Sequence, residues 1–132
     1  MATVRLEFSP APGYVRTARL VGVAVARRAG VAGAVLDEVR QAIGEACGRA
    51  VARHRRHGLD DLIRVEMTDE GPYTVLVIDA APTHQGAGPD AGDEADDTDR
   101  MALTLLGGLV DQLQVREGPH GTEVRMVWPT RR

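Results

Sequence analysis

Asp37-Glu38-Val39-Arg40-Gln41-Ala42-Ile43-Gly44-Glu45-Ala46-Cys47, residues 37–47, is the stretch on which the fold turns. Val39, Ile43, Ala46 and Cys47, with Leu36 before them and Ala50 after, recur at the spacing that lines up on one face of a helix. The pattern predicts a helix over 34–55. Asp37 and Glu38 stand near its start and Arg53, Arg55 and Arg56 near its end, both placements favoured by the helix dipole. Gly58 is the natural stop. Glu45 and Arg49 are four residues apart with the acid first, the favoured order for an exposed helical ion pair worth ~0.3–0.5 kcal/mol.

Upstream, Val4, Leu6 and Phe8 alternate with Arg5 and Glu7, the period of a half-buried strand. Ser9-Pro10-Ala11-Pro12 ends it, and Val15, Ala18, Val21, Val25 and Ala29 then predict a helix over 13–29, stopped at Gly30. Downstream, 62–67 alternates as a strand, Glu70-Gly71-Pro72 turns the chain, and 73–78 is a more continuous apolar run. Residues 80–99 change character. They hold Pro82, Gly86, Gly88, Pro89 and Gly92, the acids Asp90, Asp93, Glu94, Asp96, Asp97 and Asp99, and no arginine. That composition predicts a solvated, flexible loop. A short apolar helix over 101–109 follows, then an antiparallel strand pair, 110–115 and 123–128, turned at Gly118-Pro119-His120-Gly121. The order implies one α+β domain over 1–132. It should be a two-layer sandwich whose mixed, mostly antiparallel sheet carries its helices on one face.

The chain has 132 residues, 43% of them hydrophobic and only 3% aromatic, so the core must be built from Val, Leu, Ile and Ala. A net charge of -3 argues against direct nucleic-acid binding, which usually leaves a basic footprint. The single cysteine, Cys47, allows no internal disulfide and suits a reducing cytoplasm. Residues 1–8 read as neither a signal peptide nor a membrane span, so no membrane association is expected. Every one of the 16 basic side chains is an arginine, and the sequence has neither lysine nor asparagine. A phosphate loop ending in Gly-Lys-Ser/Thr and a Schiff-base lysine are therefore excluded. His54 and His57 lack the closely spaced cysteine or acid partners of a zinc site, and no metal is expected there. Cys47, on the apolar stripe, reads as core, and the Arg53, Arg55, Arg56 cluster as a solvated helix end or a contact for an acidic partner.

The layout, together with residues 37–47, resembles the histidine-kinase-like ATPase fold. More closely it is similar to the small anti-sigma factors that are also protein-serine kinases. That resemblance implies roles for particular residues. Glu45 falls on the family's acid, the proposed general base toward a target serine. The asparagine that holds Mg²⁺ four residues later is here Arg49. Asp79 falls on the acid that reads the adenine amino group, but the glycines expected after it are Ala81 and Thr83. The Gly-x-Gly turn falls on Arg100-Met101-Ala102, and Gly121-Thr122 matches the last motif. The acidic segment 80–99 takes the place of the lid over the triphosphate.

Asparagine offers a neutral oxygen to a hard cation, whereas a guanidinium has no acceptor and brings positive charge. ATP is thus expected to bind weakly and without normal Mg²⁺ coordination, and no cofactor is firmly implied. Arg49 with Arg100 could grip an anion directly, or Arg49 could be spent in a surface pair with Glu45. Asp79 reads equally well as an adenine contact or as a turn-former before Pro82. The resemblance implies a regulatory role, with an anti-anti-sigma (STAS) protein and a sigma factor as partners and a homodimer as a further possibility. The other reading is an active kinase with Glu45 as its base.

Overall fold

The computed structural model describes residues 3–82 and 93–130. Its elements are β1 (Thr3–Phe8), α1 (Gly13–Ala29), a short 3₁₀ turn (Gly33–Val35), α2 (Leu36–Arg56), β2 (Ile63–Thr68), β3 (Tyr73–Asp79), α3 (Asp93–Gly107), β4 (Gln112–Gly118) and β5 (Gly121–Trp128). The five strands form one sheet in the order β1-β2-β3-β5-β4. Each of its four pairings is antiparallel, so the parallel component allowed for in a mixed sheet is not found.

Strand alternation decides the layering. Ile63, Val65 and Met67 on β2, Tyr73, Val75 and Val77 on β3, and Val124, Met126 and Trp128 on β5 are buried against the helices. Their neighbours Arg64, Glu66, Thr74 and Arg125 lie on the other, open face, which cross-strand pairs such as Arg5–Glu66 solvate. On the helical side, α1 contributes Val15, Ala18, Val25 and Ala26, and α2 contributes Val39, Ile43, Ala46, Cys47 and Ala50. Small residues let these two helices approach closely. A Cβ at Gly22 would run into the tip of the Ile43 side chain, which would have to shift to admit it.

With so few aromatics, each carries specific weight. Tyr73 stacks on Trp128 with ring centroids 6.0 Å apart. Its hydroxyl donates to the Gly22 carbonyl at 2.7 Å, which ties the sheet to α1. The Trp128 indole N–H donates to the Leu109 carbonyl at 3.0 Å and anchors the segment between α3 and β4. Burial of the Tyr73 ring pushes its phenol well above the usual tyrosine range.

The elements expected over 13–29, 62–67, 73–78 and 123–128 are present within a residue or two. Two boundaries differ. The last hairpin is longer, with β4 running to Gly118, because its ladder continues to the Gly118–Gly121 pair. Helix α3 begins at Asp93 rather than near 101, so the second part of the expected loop is helical. Acids in the first turns of a helix favour its dipole, and 93–99 is rich in them. The remainder of that loop, 83–92, lies outside the described residues.

Candidate functional site

Near its C-terminal end, helix α2 brings Arg49 and Arg53 to the end of β3. Arg49 and Arg53, one turn apart, continue the buried stripe of Ala46 and Ala50 instead of facing water. Their side chains are 2% and 7% exposed. Arginine is rarely buried without partners, and these two have them. The Asp99 carboxylate, from α3, meets Arg49 along the fork of its guanidinium. The distances are 2.7 Å to Nε and 2.8 Å to Nη2. Asp99 also lies 3.6 Å from Arg53 Nη1. Asp79, at the end of β3, is 3.4 Å from Arg53 Nε and 3.9 Å from Arg49 Nη1. Glu117, on β4, closes the rim 3.8 Å from Arg49 Nη2.

Arg53 is the structural pivot. Its Nη2 donates to the Ala81 carbonyl at 2.8 Å and to Thr122 Oγ1 at 3.1 Å, so one side chain joins α2, the chain after β3, and β5. Asp79 in turn accepts the Ala81 backbone N–H at 2.9 Å. Burial pushes the Asp79 carboxyl up from its ordinary value, while the Arg53 guanidinium, the Ala81 N–H and Arg49 pull it down. His54, fully buried beside Arg53, spends both ring nitrogens locally. Its Nε2 accepts the Ala80 N–H at 2.8 Å, which leaves Nδ1 as the donor to the Asp61 carbonyl at 3.1 Å. Asp79 and Thr122 are register partners on β3 and β5. That pairing depends on Gly121, with φ 137°, because a Cβ there would collide with the Asp79 carbonyl oxygen.

The structure therefore brings together Arg49, Asp79, Gly121 and Thr122, and it parts others from them. Glu45 does not pair with Arg49. It lies half-buried in a cleft of about 550 Å³ with Arg19, Gln41, Gly44, Leu105 and Leu109. The surface ion pair Glu45–Arg49 fails because Arg49 turns inward to the acids of α3 and β3. Arg100 does not join Arg49 either. Its side chain is 75% exposed and pairs with Asp97 one turn back. Ala102 sits inside α3, so 100–102 is helix rather than a glycine-type turn. None of its residues is glycine, and nothing there resists the helical backbone.

Arg53, His54 and Asp99 were not anticipated as site residues. Arg53 read as part of a solvated helix end, yet its place three residues after Ala50 on the apolar stripe was the signal that it turns inward. Asp99 carried no comparable signal, since it is one of six acids in its segment. His57 and His120 stand apart from the cluster, and His84 lies outside the described residues. Among the described residues no group of three or more His, Cys, Asp or Glu stands together as metal ligands would. Nor is any helix among them long and apolar enough to cross a membrane.

A family model for the histidine kinase-like ATPase domain matches residues 8–128. The chain belongs to that family. No curated protein matches it. Among solved structures, the RsbU and RsbW domains of Rv1364c from Mycobacterium tuberculosis align with a TM-score of 0.71 at 17% identity, over 99% of this chain. The chain spans 34% of that longer chain, and at this identity the likeness is one of fold. Within the ATPase fold, the residues present do not suit a magnesium triphosphate. The position expected to offer magnesium an amide oxygen offers a buried guanidinium, already engaged by carboxylates.

Proposed function

We propose that this chain is a regulatory protein of the anti-sigma type, acting within a partner-switching system by binding rather than by phosphorylation. It would bind a STAS-domain anti-anti-sigma protein, a sigma factor, or both, with ATP binding and kinase activity weak or lost. One observation carries the reading. Arg49 is buried and paired with Asp99 and with Asp79, the acid that the family resemblance assigns to adenine. Protein side chains thus fill the interactions that a metal and nucleotide would need. The structural likeness to a chain containing an RsbW domain supports the same regulatory setting.

A second reading, an ATP-dependent protein-serine kinase with Glu45 as general base, is favoured by one feature. Glu45 is not consumed by Arg49 and borders an open cleft. A base within reach of a hydroxyl is necessary for that chemistry, but most of the barrier to phosphoryl transfer is lowered by positioning and charge neutralisation at the phosphates. While Asp99 holds it, Arg49 supplies neither to a magnesium-bound nucleotide.

The test is thermal unfolding with and without Mg-ATP. A ligand at 100 times its Kd stabilises by ~2.7 kcal/mol, which is easily seen. No shift is expected. A clear shift that disappears in Asp79→Asn, a variant that keeps the acceptor for the Ala81 N–H, would overturn the proposal. Transfer of labelled phosphate to a STAS-domain protein would establish the kinase instead. For the binding role, capture on the purified chain should retain a STAS-domain protein or a sigma factor at moderate salt.

A further inference from the structure

Asp99 is a foreign element in the arginine cluster. Asp79 and Thr122 reach the cluster from the sheet and Arg49 and Arg53 from α2, all of them parts of the packed core. Asp99 comes from α3, where Leu106, two turns further on, is fully buried. The neighbouring residues of that helix, Asp97, Thr98 and Arg100, are exposed. Its carboxylate nonetheless takes the forked grip, Nε and Nη2 of Arg49, by which arginine holds carboxylates and phosphates.

The grip is incomplete. Nε of Arg49 and Nε of Arg53 are buried and lack an aligned hydrogen-bond acceptor, although carboxylate oxygens lie 2.7 and 3.4 Å away. The oxygens nearest these two donors belong to different carboxylates, Asp99 beside Arg49 and Asp79 beside Arg53, and neither is aligned with its donor. A tetrahedral oxyanion presents acceptors in several directions. Two cations share a buried site with Asp79 and Asp99, and without the Asp99 contact Arg49 keeps only Asp79 at 3.9 Å and the exposed Glu117 at 3.8 Å, neither within hydrogen-bond distance. A buried charge without a partner is strongly disfavoured, and an anion from solution would be drawn in.

We propose that the Arg49–Arg53 pair is a metal-independent seat for a phosphate-like oxyanion, and that Asp99 is its built-in competitor, latching α3 over the seat. The proposal rests on the reading that this pocket has given up magnesium, and it goes beyond that reading in naming a ligand class and a gate. When an oxyanion takes the two arginines, Asp99 is displaced to water and the first turns of α3 lose the contact that holds them to α2.

The test uses inorganic phosphate in the presence of EDTA, with sodium chloride at matched ionic strength as the control. Calorimetric titration should show weak binding to the unmodified protein and binding at least ~10-fold tighter to Asp99→Asn. That gain follows if the latch leaves a tenth or less of the molecules competent. Asp99→Asn combined with Arg49→Lys, which keeps the charge but not the fork, should lose most of the gain. Hydrogen exchange gives a second readout on the unmodified protein. Saturating phosphate should speed exchange over 97–104, and chloride should not. Folded Asp99→Asn that binds phosphate no better than the unmodified protein would overturn the proposal. So would phosphate-induced protection of α3. Binding that appears only when magnesium is added would instead overturn the reading of the pocket on which the proposal stands.

Discussion

The buried pair Arg49–Asp99 makes a quantitative prediction by double-mutant cycle. Two unit charges ~4 Å apart attract by ~4 kcal/mol at an effective dielectric of ~20. Against that stands the desolvation of both groups, and removing one partner of a buried pair usually costs ~3–5 kcal/mol because the other is stranded. The surroundings decide how the cost divides. In Asp99→Leu, Arg49 stays 2% exposed with Asp79 at 3.9 Å and Glu117 at 3.8 Å, both beyond hydrogen-bond range. A loss of ~3 kcal/mol is expected. In Arg49→Met, Asp99 is left 14% exposed, able to turn to water or lean on Arg53 at 3.6 Å, and the loss should be nearer ~2 kcal/mol. The double variant replaces the pair with apolar groups of similar size and should return to within ~1 kcal/mol of the original. Urea unfolding at neutral pH measures all four. With a slope of ~2 kcal/mol per molar, the Asp99→Leu midpoint should fall by ~1.5 M and the double variant should recover most of it. Additive losses in the double variant would show that Arg49 and Asp99 do not act as a unit and would remove the basis for a latch.

Two further outcomes follow from the packing. Gly121→Ala places a Cβ against the Asp79 carbonyl oxygen at a backbone φ of 137°, where no flexible side chain can yield, so a loss of ~3 kcal/mol in thermal or urea unfolding is expected. A destabilisation below ~1 kcal/mol would mean that the β3–β5 approach is looser than described. Cys47 is fully buried, and burial pushes its thiol up to about 12 from an ordinary 9.0, with Arg19 pulling weakly the other way. Because the folded value is the higher one, its stabilising contribution is complete below pH 9 and is lost as the pH rises toward 12. Tyr73 shifts in the same direction. Stability should therefore decline above pH ~9, less steeply in Cys47→Ala, and a thiol reagent at pH ~8 should label the protein only on unfolding.

Much of the architecture was legible in local pattern. The apolar spacing across α1 and α2 and the alternation in β2, β3 and β5 report directly which face is buried, because burial of each element is periodic in its own geometry. The sequence alone also determined that no lysine or asparagine could serve the site, which removes one phosphate-binding loop and one magnesium ligand whatever the fold. The composition of 80–99 was misleading for its second part. Acids that look like solvated loop residues also open a helix well, and the helix of 93–107 is fixed to the rest of the fold by Leu106 in the core and by Asp99 on Arg49.

Tertiary structure alone decided which charges meet. Spacing along α2 offered Glu45 as the partner of Arg49, but the helix packs with Arg49 and Arg53 on its buried side and Glu45 toward another cleft. Asp99 and Arg49 are 50 residues apart and Arg53 and Thr122 are 69 apart. Pairing over such distances is set by how the sheet and α3 close on α2, and a one-dimensional pattern holds no record of it. The sequence determined that no asparagine could stand at position 49 or anywhere else, and the fold decided that the Arg49 guanidinium would be held by the protein's own acids.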